Sequence, residues 1–133
     1  MNLLSAILNG FSQVFLQENL LFGIFVAIGL GITSPISLLF ALVGLATSLI
    51  TAHLIGAKEA VINSGLYSFN GILIGITASY FIKQIPIAVG SAVILSAMGT
   101  LLYFAISKNN ILPFTTPFVL SGWIILLLLR FIK

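Results

Sequence analysis

Residues 65–75 read Gly65-Leu66-Tyr67-Ser68-Phe69-Asn70-Gly71-Ile72-Leu73-Ile74-Gly75, and they sit in the middle of an almost chargeless chain. Three glycines, an aromatic pair and one amide stand where the flanking sequence calls for an uninterrupted apolar helix. An unpaired backbone N–H or C=O costs several kcal/mol in hydrocarbon. A break of this kind therefore persists only where protein or a water-filled path covers it. The stretch reads as a broken membrane segment beside a pathway.

The rest of the chain supports the membrane half of that reading. Of 133 residues, 60% are hydrophobic, and the formally charged side chains are only Glu18, Lys58, Glu59, Lys83, Lys108, Arg130 and Lys133. Soluble domains carry roughly 25% charged residues. The charges here fall between apolar blocks, as expected if the blocks lie in hydrocarbon and the charges mark the interfaces. A net charge of +3 is too small and too scattered for a nucleic-acid footprint. With no cysteine there is no disulfide framework and no thiolate chemistry. The opening stretch has the length of a signal-peptide core, yet it lacks a basic start and a small-x-small cleavage pattern, so it is expected to stay in the mature chain.

Apolar blocks run over residues 3–16, 20–32, 36–55, 60–82, 87–106 and 112–132. A spanning helix needs about 20 residues, so only some blocks are long enough. The first two are short, and the fourth is interrupted by the glycine segment. The expectation is an all-α integral membrane protein, one domain over residues 1–133, with about five transmembrane helices and a short re-entrant helix. Pro35 disfavours a helical Ser34, so Thr33-Ser34-Pro35 ends one segment and its hydroxyls can cap the next. Lys58-Glu59 and Gln84-Ile85-Pro86 are further joints. Pro113 and Pro117 bracket Thr115 and Thr116 and prevent a regular helix there. Gly29 with Thr33, Gly44 with Ser48, and Gly90 with Gly99 are small residues of the kind that let lipid-immersed helices approach closely. Loop charges divide two against three if every long block crosses, which leaves the insertion sense open.

Enzyme constellations fail early. His53 is the one histidine, there is no aspartate, and Glu18 and Glu59 lie near segment ends. Neither a zinc triad nor a Ser-His-Asp set can be assembled, so no metal, no cofactor and no catalytic residue is expected. Ion-coupled transport needs an ionisable residue inside the membrane, and no block interior holds one. Uncharged polar groups remain: Gln13, Ser68, Asn70, Thr77, Thr115 and Thr116. Amides and hydroxyls replace water around a neutral polar solute, and pore width and lining donors set its selectivity. Phe69 and Leu73 are four apart and share a helical face. They can form one wall of a slot for a planar molecule, or simply pack against their neighbours.

Taken in order, these residues resemble the urea transporter family. The signature is Leu66-Tyr67-x-Phe69-Asn70-Gly71 followed by Leu73 and Gly75. Ser12-Gln13-Val14-Phe15-Leu16 with Glu18-Asn19 and Ser34-Pro35 lie upstream, with Thr115-Thr116-Pro117-Phe118-Val119-Leu120 and Trp123 downstream. Order and spacing match one of the two homologous halves of such a transporter. The resemblance implies channel-like passive transport of urea or a small neutral amide through a pore enclosed by two inverted halves, in protomers that form trimers. By position, Phe69 and Leu73 would hold the flat solute, Gln13 would contact its amide groups, Val14 would pack beside the slot and Thr115 would line the narrow middle. Asn70 and Gly71 would support the break.

Three departures follow from the same comparison. Only one half is present. The run from Pro113 to Pro117 is one residue shorter than the usual spacing, which brings Thr116 into contention with Thr115. The family's second half offers a glutamate where this half has Gln13. A half-length sequence with little orientation bias points to two copies inserted in opposite directions, an antiparallel homodimer that regenerates the inverted repeat, with a trimer of such dimers as the larger assembly. The alternative is a non-transporting assembly subunit, or an incomplete half of a split transporter. Compact loops suit a bacterial inner membrane.

Overall fold

The computed structural model describes residues 3–14, 18–109 and 116–132. Among them lie seven helices and no strand: α1 (Leu3–Gln13), α2 (Leu20–Thr33), α3 (Pro35–Leu54), α4 (Glu59–Asn63), α5 (Ser68–Phe81), α6 (Ile85–Ser107) and α7 (Thr116–Ile132). Only α3, with 20 residues, and α6, with 23, are long and apolar enough to cross a membrane alone. At 1.5 Å per residue they rise about 30 and 35 Å, whereas α1 and α5 rise only about 16 and 21 Å. The two elements around the glycine signature are therefore partial.

The helix boundaries have local causes. Asn19 caps α2, its Oδ1 accepting from the backbone N–H of Leu21 at 3.0 Å and of Phe22 at 3.2 Å. Ser34 adopts an extended conformation and ends α2, then caps α3 by accepting from the Ser37 N–H at 3.3 Å, with Pro35 at the first helical position. Proline fits there because its missing donor has no intrahelical partner to lose. Pro86 is the second residue of α6, where a missing donor is likewise without an intrahelical partner. Within the helices, Thr33, Thr47, Thr51, Thr77 and Thr100 each donate their hydroxyl to the carbonyl four residues earlier, at 2.8–2.9 Å. This local bond lets a hydroxyl lie against hydrocarbon.

The fourth block breaks where the sequence reading placed the interruption. Gly65 separates α4 from the turn leading into α5 and has φ of +85°, in the left-handed region that favours glycine. A Cβ on it would collide with the backbone of Asn9 and Gly10. Both the turn and the close approach of α1 therefore require glycine at this position.

Helix α5 is the hub, packing against α1, α3, α6 and α7. Its crossing with α3 is made by bare backbone: a Cβ on Gly44 would collide with the Gly71 carbonyl, and one on Gly75 with the Phe40 carbonyl. Ser48 of the Gly44–Ser48 pair lies against Gly71 in the same contact. Gly99 approaches Ile74 and Pro117. Gly29 and Gly90 behave otherwise, since a Cβ on either would meet open space within the described chain. The expectation that they mediate close packing does not hold within the described chain, because no neighbouring atom comes within 4 Å of a Cβ at either position. The exterior is apolar, with Ile32, Leu54, Trp123 and Phe131 exposed.

Candidate functional site

Helix α1 ends in a polar seam against the α4–α5 break. Asn9 and Gln13 are four residues apart and share one face, and both amides reach the end of α4. Asn9 Nδ2 donates to the Asn63 carbonyl at 2.9 Å, and Gln13 Nε2 donates to the Ser64 carbonyl at 3.0 Å. The last carbonyls of a helix have no intrahelical partner, and here two side-chain amides supply one. Ser12 donates to the Asn9 carbonyl at 3.0 Å and accepts from the Asn19 N–H at 3.2 Å, which ties α1 to the start of α2. Ser68, the first residue of α5, donates to the Ala6 carbonyl at 3.1 Å. These hydrogen bonds tie the short helices around the break to one another.

The seam fixes the chemistry that Gln13 offers. A carbonyl accepts only, so the side of the Gln13 amide facing Ser64 must be its NH2 group. That leaves Oε1 as the group presented elsewhere. Gln13 is 7% exposed, so little of it is visible outside the chain.

Val14, Phe69 and Leu73 share one apolar cluster with Phe11, Ile72 and Tyr67. Within it Phe69 is fully enclosed at 1% exposure, while Leu73 and Val14 are half-buried. Leu73, Ile76, Thr77 and Ser79 are half-buried and Tyr80 is exposed, whereas the rest of α5 from Ser68 to Ala78 is buried. The helix therefore keeps a single open stripe. Val14 also lines an apolar groove of about 500 Å3 with Phe11, Phe22, Ile72 and Ile76, between α1, α2 and α5.

Asn70 has a specific partner. Its Oδ1 accepts from the backbone N–H of Phe118 at 3.1 Å, satisfying a first-turn donor of α7 from across the fold. Asn70 thus positions α7, and Gly71 beside it is pressed against Gly44 and Ser48 of α3. Thr116 is the exposed first residue of α7. Thr115 lies outside the described residues. Asn9, Asn63 and Ser64 were not singled out by sequence reasoning, although the spacing of Asn9 and Gln13 was available as a signal.

A broken-helix bundle with an apolar exterior is the architecture of an all-helical membrane protein. The family described as "Urea transporter" matches residues 4–132. Mouse urea transporter 1 is 32% identical over 123 residues, covering 84% of this chain and 31% of that relative. Sheep and goat urea transporter 1 are each 33% identical over 75 residues, covering 56% of this chain and 20% of theirs. The chain belongs to the urea transporter family, whose members are membrane proteins, and it spans about a third or less of the length of the curated relatives it matches.

Proposed function

We propose that this chain forms one wall of a passive pore for urea or a similarly small, neutral, planar amide. The observation that carries the reading is the tethered Gln13 amide. Fixed by Ser64, it offers an oxygen to a solute N–H, next to the apolar cluster of Val14, Phe69 and Leu73. Urea has four N–H hydrogens and two flat faces, so an acceptor beside an aromatic-aliphatic wall matches it. Pore width and acceptor placement then supply selectivity without charge.

One such wall encloses nothing, and the open stripe of α5 through Leu73, Thr77 and Tyr80 is where a second wall would face it. We assign the second wall to another copy of the chain inserted in the opposite sense, so that two Gln13 and two Leu73 meet across a two-fold axis in the membrane plane. Trimers of such pairs are the larger assembly in keeping with the family. Thr115 or Thr116 lines the constriction.

A second reading has one observation in its favour. Phe69 is fully enclosed within a single chain, as a packing residue would be, and that suits a non-transporting assembly half. Stopped-flow light scattering on proteoliposomes of the purified protein separates the two. The transport reading predicts urea permeability that saturates with concentration. Permeability equal to that of empty liposomes, from protein shown to be folded and oligomeric, would establish the second. Reporters fused to the C terminus test the antiparallel pairing: activity on both sides of the membrane is expected, and activity confined to one side rules it out.

A further inference from the structure

At the end of the bundle where α3 gives way to α4 and where α6 stops, a cleft of about 450 Å3 opens that shares no residue with the Gln13 seam. Its polar lining is Lys58, Lys108, Tyr67, Tyr103 and Ser107, and no carboxylate contributes to it. The two lysines are exposed and form the rim, while the two tyrosines are buried and form the floor. The floor is ordered by its own contacts. The Tyr67 and Tyr103 rings lie with centroids 5.0 Å apart at 59°. Ser107 donates its hydroxyl to the Phe104 carbonyl at 3.0 Å. Lys108 Nζ sits 4.5 Å from the centre of the Phe104 ring, which holds the ammonium against the cleft wall.

Two ammonium groups on one rim repel each other, and the repulsion is larger beside hydrocarbon than in bulk water. An anion between them reverses its sign. We propose that this cleft binds a phosphate-bearing anion, with the ammonium groups of Lys58 and Lys108 on its oxygens and the Tyr103 hydroxyl as a donor beneath. The chemistry is shared by an anionic phospholipid headgroup and by dissolved phosphate. Position favours the lipid: the cleft sits at the ends of α3 and α6, the two helices long enough to span the membrane, which is the depth at which headgroups lie. Basic pockets at such helix ends are a recurrent mode of anionic-lipid recognition. The proposal is independent of what the pore carries.

Native mass spectrometry of the purified protein, titrated with phosphatidylglycerol against phosphatidylcholine, tests it. The wild-type chain is expected to retain phosphatidylglycerol preferentially, with the preference falling roughly tenfold in Lys58→Gln/Lys108→Gln. Both side chains are exposed, so the double variant keeps its fold. Lys83→Gln, which removes an equal charge between α5 and α6, is expected to keep the preference. A parallel thermal-shift titration with inorganic phosphate separates the sources. No shift with phosphate identifies the lipid, and a phosphate-dependent shift that the double variant loses identifies a dissolved anion. The proposal is overturned by a lipid preference that survives in the double variant, by one lost equally in Lys83→Gln, or by the wild type showing neither lipid preference nor phosphate shift.

Discussion

Gln13 concentrates the argument at the scale of single residues, because one hydrogen bond decides what it can offer a solute. Replacing it by glutamate sets a carboxylate oxygen against the Ser64 carbonyl, two acceptors with no hydrogen between them. Gln13→Glu is therefore expected to lower the melting temperature in detergent as well as urea flux, whereas Gln13→Ala lowers flux with a smaller loss of stability. Scanning fluorimetry beside flux measures both. Asn70 acts through a different group. Asn70→Ala leaves the Phe118 N–H without its acceptor, at a cost of about 1–2 kcal/mol, and frees the start of α7. Asn70→Asp keeps the acceptor oxygen and is expected to melt above Asn70→Ala; thermal melting of the two variants side by side checks the order. Membership of the family was legible in the sequence through the motifs on either side of the glycine stretch, among them the one that holds Gln13. The bond to Ser64 was not, because a partner 51 residues away leaves no local pattern in one sequence.

Among the elements, the crossing of α3 and α5 depends on glycine for its closeness. Gly71→Ala drives a methyl group into Gly44 and the Ser48 hydroxyl, and overpacking of that kind costs about 1–3 kcal/mol. Gly90→Ala meets open space and is expected to stay within about 0.5 kcal/mol of wild type. Comparing their melting temperatures tests whether the crossing, rather than glycine content in general, sets stability. The joints of the fold were readable beforehand: Ser34-Pro35 ends one helix and caps the next, and the glycine stretch divides the fourth block. Spacing did not reveal which small residues pack inward. Gly29 with Thr33 and Gly44 with Ser48 have the same four-residue period, but only the second pair faces a neighbouring helix. Periodicity gives a face and leaves its partner undetermined. Tertiary placement supplies the partner.

For the whole molecule, the distribution of charge makes a claim about energy coupling. The formal charges are few and lie at helix ends or in connections, as with Lys58 and Lys83 beside α4 and α6 and Arg130 in the last turn of α7. Among the described residues no Asp, Glu, Lys or Arg lies in the interior of the apolar helices, and His53 sits in the last turn of α3, so urea flux is expected to be the same with and without a sodium or proton gradient. Flux that rises severalfold when either gradient is imposed contradicts a passive pore. The chain spans about a third or less of the length of its relatives, and the proposed second wall would dock on the open stripe of α5. Sequence reasoning reached the family, and the residues it assigned to one wall stand as part of the proposal.

The absence of native cysteine allows one measurement to address the pore directly. Leu73→Cys introduces a single thiol on the open stripe of α5, and stopped-flow urea flux is recorded before and after a bulky thiol reagent. Saturable flux in both proteins, unaffected by the reagent in wild type and abolished by it in Leu73→Cys, is the result predicted for a pore wall at Leu73. Flux that persists in the fully labelled variant, or wild-type flux equal to that of empty liposomes, contradicts it.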